Sequence, residues 1–173
     1  MKQMESTDNN QTNSQDELIE FTTREQNRDL VRDLALQAQQ SIQLFSASLD
    51  NSLYDQSEFI EAVSTLAIRS PKARVQILVR DSSVILKKGH RLIELSRRLT
   101  TAIQIHNPSV EDCQQIMELM LIDQTGYIHK NHADTYHGEA GFNDRRLTRD
   151  WQRQFNDMWE MSAPDPELRR LHI

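Results

Sequence analysis

Three short apolar runs, each separated from the next by one amphipathic helix's length of chain, set the strongest limit on this fold. The runs are Ser41–Ser48, Arg74–Arg80 and Ala102–His106. Between the first two, Phe59, Ile60, Val63, Leu66 and Ala67 recur at helical spacing over 57–69; between the second and third, Leu92, Leu95 and Leu99 do so after Gly89. Ser70-Pro71 stops the first of these helices, because proline disfavours helical geometry in the residue before it. Strands that alternate with helices connect through parallel crossovers, so the sequence predicts an α/β domain.

The flanks complete the pattern. Thr23 is a predicted N-cap for a helix bearing Leu30, Val31, Leu34, Ala35 and Ala38. Gln115–Ile122 reads as a fourth strand, Asp123–Gly126 as a turn and Tyr127–Lys130 as the return strand of a hairpin. Gly138–Gly141 reads as a loop before a last helix over about 144–161, with Asn143 as its cap and Leu147, Trp151, Phe155, Met158 and Trp159 as its apolar stripe. The expectation is a mixed, mostly parallel sheet flanked by helices. A chain of 173 residues suffices for one such domain. The polar stretch 1–20 reads as a disordered tail, 21–163 as the domain and 164–173 as a C-terminal tail.

Composition excludes some classes. No run of about 18 apolar residues predicts a membrane span, and the polar start MKQMESTDNNQTNSQ lacks a secretory h-region, so a cytoplasmic location is expected. The single Cys113 cannot form an intramolecular disulfide and reads as a buried, inert thiol. The net charge of −6 disfavours nonspecific nucleic-acid binding. Yet residues 71–100 carry eight basic and two acidic side chains, a local positive segment between acidic flanks.

Several pieces together resemble one half of the phospholipase D superfamily over residues 24–162. Ile42–Ser48 and the loop Leu49–Asp55 resemble its first βα unit; Arg74–Asp81 resembles its second strand. Met120–Gly126 resembles the hydrophobic strand that runs into the family's aspartate turn. Gly141-Phe142-Asn143 resembles a degraded glycine-asparagine signature, and Phe155 and Trp159 the closing aromatic pair. The whole also resembles an uncharacterised proteobacterial family of degenerate phospholipase D-like domains, some of them fused to or encoded beside acetyltransferase-type domains. The resemblance implies a phospholipase D-like half-domain.

The chemistry the resemblance implies is missing. The family signature is His-x-Lys-x-x-x-x-Asp: the histidine attacks phosphorus, the lysine stabilises the phosphoryl oxygens, and the aspartate supports the histidine. With Asp123 at the aspartate place, Ile116 occupies the histidine place and Glu118 the lysine place. No other register rescues it: His129 would need lysine at Asn131, and His106 at Pro108. The expectation is therefore a non-catalytic domain that binds a phosphorylated small molecule or a partner protein, with no cofactor.

One candidate binding site remains. Arg80 ends a strand, and Lys88, Gly89 and His90 open a helix, whose N–H groups and dipole favour anions. These four residues form the expected anion site, against the plainer reading of a solvated basic loop. Two alternatives stand beside it: an enzyme with a displaced site using His90 and Asp123, assembled across a homodimer, and an accessory domain of an acetyltransferase-like protein. The stretch His129, His132, Asp134, His137 and Glu139 fits no familiar zinc spacing, and no metal is expected there.

Overall fold

The computed structural model describes residues 17–169. The predicted helices and strands lie within the segments where periodicity placed them, although the strand expected from Gln115 begins at Glu118, the one expected to reach Ser48 ends at Ser46, and the expected loop 49–55 holds a short helix. Helix α1 (Arg24–Gln37) begins at the expected Thr23, in a capping box: the Thr23 hydroxyl accepts from Gln26 N at 3.2 Å and the Gln26 side chain accepts from Thr23 N. Strand β1 (Ile19–Phe21) precedes it. Strands β2 (Ser41–Ser46), β3 (Arg74–Val79) and β4 (Ile103–Asn107) are parallel neighbours. Between them lie α2 (Asn51–Tyr54), α3 (Ser57–Arg69), α4 (Ser83–Lys88) and α5 (Arg91–Arg98). Then come β5 (Glu118–Ile122), β6 (Gly126–Lys130), β7 (Gly138–Gly141), α6 (Arg145–Glu160), β8 (Ala163–Pro164) and α7 (Pro166–Arg169).

All eight strands form one mixed sheet in the order β1-β7-β6-β5-β2-β3-β4-β8. The mixed sheet between helices is as expected, but its balance is not. Only β2–β3 and β3–β4 are parallel; the other five pairings are antiparallel. The reason is that the hairpin continues. Gly138–Gly141, expected as a loop, is a third antiparallel strand, and Ile19–Phe21 adds a fourth. The domain edges move accordingly. Residues 19 and 20 belong to the sheet rather than to a tail, and Leu168, beyond the expected end at 163, is buried in the core. Residues 1–16 and 170–173 lie outside the described residues.

Strand alternation sorts side chains into two cores. Leu44, Ile77 and Met120 face a large core under α1, α3 and α5. Their neighbours Phe45, Leu78, Leu119 and Leu121 face α6, where Phe155 is fully buried. Trp151 is half-buried and stacks on His129, ring centroids 4.2 Å apart. The cap of α6 is Asp144, one residue after the expected Asn143; its carboxylate accepts from Leu147 N at 2.9 Å. Cys113 is exposed in a short 3-10 turn, not buried as expected, because that segment lies outside both cores.

Candidate functional site

The carboxyl ends of β2 and β3, the start of β5 and the end of β6 meet at one edge of the sheet. That edge gathers Ser46, Arg80, Glu118 and Lys130. Glu118 and Lys130 are direct cross-strand partners, both almost fully buried, with Lys130 Nζ 2.7 Å from Glu118 Oε2. Glu118 Oε1 accepts from the Ser46 hydroxyl at 2.6 Å and from Ala47 N at 3.2 Å. Lys130 Nζ donates to the carbonyls of Ala133 and Thr135 at 3.2 and 3.0 Å. The contact with Oε2 is a close ion pair rather than an aligned hydrogen bond, so that oxygen has a neighbouring charge but no donor aimed at it. An ammonium has three donors, and two of these already hold the 131–137 loop.

A second polar layer lies over the pair. The Tyr136 ring centroid is 5.6 Å from Lys130 Nζ, and its hydroxyl donates to Asp50 Oδ2 at 2.8 Å. Burial pushes the Asp50 carboxyl up, but hydrogen bonds from Ser52 and Tyr136 outweigh it and hold the group below the usual carboxylate range. Complete burial, with Glu118 and Asp50 nearby, raises the Tyr54 phenol well above its ordinary value. Glu118, Lys130, Tyr136 and Asp50 thus form a polar cluster paired largely within itself. Ile116, at the expected histidine place, is exposed and carries no nucleophilic group, and the Lys130 ammonium is turned inward onto Glu118 and two carbonyls.

Asp123, the one residue that matches the signature, sits at the other end of β5. Its backbone takes φ 53°, and its carboxylate accepts from the N–H groups of Gln39, Gln40 and Ser41 at 2.9, 2.8 and 2.8 Å. It thereby clamps the turn from α1 into β2. Strand β5 spans roughly 17 Å, so in this chain Asp123 supports nothing at position 116; this corrects the role the signature implied. His90 lies beyond the carboxyl end of β3, whereas Asp123 lies beside the amino end of β2. The two therefore do not converge within one chain.

Of the four expected anion ligands, only some face solvent. Lys88 and Gly89 are exposed, and Gly89 takes φ 75° as it closes α4. Arg80 is half-buried, with its guanidinium 5.8 Å from the Phe45 ring centroid and a buried Nε that has no hydrogen-bond partner. His90 is buried, and its Nδ1 caps α5 by accepting from Leu92 N at 3.1 Å. Burial lowers its pKa, against the pull of Asp55. The start of α5 already holds a carboxylate: Asp55 Oδ1 accepts from Arg91 N at 3.2 Å and Arg91 Nε at 2.8 Å. Gly89 and His90 instead line a small cavity walled by Ile85, Leu86, Ile93 and Leu168. His129 is buried with Nδ1 3.6 Å from Glu139, while His132 and His137 are exposed.

Ser46, Lys130, Asp50 and Tyr136 carry no local signal as a site. Glu118 does, as a lone charge inside an apolar strand. A three-residue hairpin turn at Asp123–Thr125 sets Glu118 opposite Lys130, so the pair follows once the hairpin register is read.

None of the curated proteins matches this chain. Solved structures do, at the level of fold. Nuc from Salmonella typhimurium, a phospholipase D family member, aligns with TM-score 0.60 and 14% identity over 87% of this chain and 98% of its own. NucT from Helicobacter pylori aligns at 0.57 and 12%, over 87% and 99%. TrmBL2, an archaeal chromatin protein with a novel mode of DNA binding, aligns at 0.62 and 13% over 86% of this chain, which spans about half (54%) of that one. The fold is phospholipase D-like. At the level of sequence, residues 23–171 match the family described as "Domain of unknown function (DUF7931)", and the chain belongs to that family.

Proposed function

We propose that the chain is a non-catalytic phospholipase D-like domain that works by binding a partner protein. The buried Glu118–Lys130 pair supports the non-catalytic part of this reading. A carboxylate stands where phosphoryl transfer needs a cation, and the nearest cation is consumed by that carboxylate and two carbonyls. The fold itself carries no function, since function resides in the site. The purified protein is expected to leave bis(p-nitrophenyl) phosphate, phosphatidylcholine and plasmid DNA uncleaved, with and without chelator. Chelator-resistant turnover that is lost in Lys130→Met, at a temperature where that variant remains folded, would overturn the reading.

A second reading keeps an anion site at Arg80, Lys88, Gly89 and His90. The unpartnered Arg80 Nε supports it; the Asp55 carboxylate at the start of α5 opposes it. TrmBL2 and the phospholipase D relatives make a phosphodiester a sensible probe. Titration with inorganic phosphate and with a short oligonucleotide, followed by amide shifts, separates the readings. Shifts confined to residues 80–92 favour the anion site; no shifts at millimolar ligand leave partner binding.

A further inference from the structure

We infer that the outer face of α6 docks against the same face of a second copy of this chain, the two helices running antiparallel across a two-fold axis near Arg153. The inference is independent of whether the Glu118–Lys130 edge binds anything.

The helix is divided by charge. Its first nine residues expose Arg145, Arg146, Arg149 and Arg153, with Asp150 the one acidic residue exposed among them; its last turns expose Asp157 and Glu160. Among the described residues, Arg145, Arg146 and Arg149 have no ion-pair partner, and Arg153 has only the loose contact with Asp150 at 3.7 Å. Three unpaired guanidinium groups crowded at a helix start repel one another and the positive end of the dipole. In a chain of net charge −6, such a stripe is a local inversion of sign.

The spacing is self-complementary. Arg149 and Asp157 lie equally far from Arg153 on either side, and so do Arg146 and Glu160. Helical period keeps all of them on one face. An axis across the helix therefore sets Arg149 of one copy opposite Asp157 of the other, and Arg146 opposite Glu160, each pair twice. The axis also brings Arg153 against its own copy, one like-charge contact beside the four complementary ones, whereas an axis along the helix would set every arginine of the stripe against its copy. An isologous contact requires this kind of self-complementary patch.

A second feature fits the same geometry. Beside the acidic end of α6 runs a groove lined by Met117, Met158 and Met161 together with Glu111, Asp112 and Asp157. Met161 is 72% exposed and the adjoining Val110 84%. Methionine side chains accept the aliphatic stems of arginines while the guanidinium groups reach the carboxylates. The arginine-bearing half of a second α6 supplies those side chains.

The test is sedimentation equilibrium of the full chain and of two charge-reversal variants, Arg146→Glu/Arg149→Glu and Asp157→Arg/Glu160→Arg. Every substituted residue is exposed, and thermal melts check that both variants fold. Wild type is expected to dimerise at low salt and to weaken in about 0.5 M salt, where screening is short-ranged. Each variant alone should dimerise with a dissociation constant raised roughly hundredfold, because like charges then face each other. An equimolar mixture of the two should restore a one-to-one complex. A wild type that is monomeric throughout, a dimer indifferent to either reversal, or a mixture that stays monomeric would each overturn the inference. So would capture of a labelled oligonucleotide by the arginine stripe of a monomeric wild type.

Discussion

Lys130 is the residue on which the candidate site turns. A buried ammonium survives only with its charge compensated and its donors used, and here Glu118 and two carbonyls do both. Removing one partner strands the other. Lys130→Met is expected to cost about 3–5 kcal/mol in denaturant melts, whereas Lys130→Met with Glu118→Leu should recover most of that loss. A single substitution costing under about 1 kcal/mol would mean that water reaches Glu118 and the edge is open. Residue identity alone revealed that the signature was broken at Ile116 and Glu118. It did not reveal what Glu118 does instead, because its partner lies twelve positions away across a hairpin. Asp123 misled in the opposite direction. It matches the signature, yet its three backbone contacts are architectural, a role that depends on the α1–β2 turn arriving beside it.

At the scale of elements, the long helices were legible, whereas the short helices α2, α4 and α7 and the shortest strands were not. Helices α1, α3 and α6 each present a stripe of apolar residues long enough to show a period, and the structure places all three where that period put them. Strands β1, β7 and β8 have three, four and two residues. That is too short for alternation to register, and β7 contains two of the four glycines, which signal a loop. Glycine is required there for a tertiary reason: a Cβ at Gly141 would lie 2.6 Å from the Tyr127 ring. The apolar stripe of α6 closes the second face of the sheet through Phe155, which has no exposed surface. Phe155→Ala should therefore cost on the order of 3–5 kcal/mol of unfolding free energy, measured by urea titration. A cost below about 1 kcal/mol would mean that α6 is only loosely docked on β5 and β6.

At the scale of the molecule, three histidines among the described residues are held away from their charged form in separate places: His90 before α5, His106 on β4 and His129 on β6. Burial is the leading cause in each case. Asp55 opposes it at His90 and Glu139 at His129, while Arg169 adds to it at His106. A histidine whose pKa is lower folded than unfolded makes the unfolded state bind more protons. Stability is then full above the unfolded value of about 6.5 and falls as pH drops toward the folded values, flattening below them. The carboxylates Asp50 and Asp55 are depressed instead, so their contributions fade only as pH falls below the ordinary carboxylate range of about 4. The two windows separate cleanly. The urea midpoint should fall between about pH 7.5 and pH 5.5 through the histidines alone. His90→Asn is the discriminating variant, since asparagine can still cap α5 but cannot titrate. It should flatten part of that slope without shifting the midpoint greatly at pH 7.5. A slope unchanged in His90→Asn would place the titrating burial at His106 or His129 instead, and a midpoint independent of pH across the window would mean that all three rings are solvated in solution.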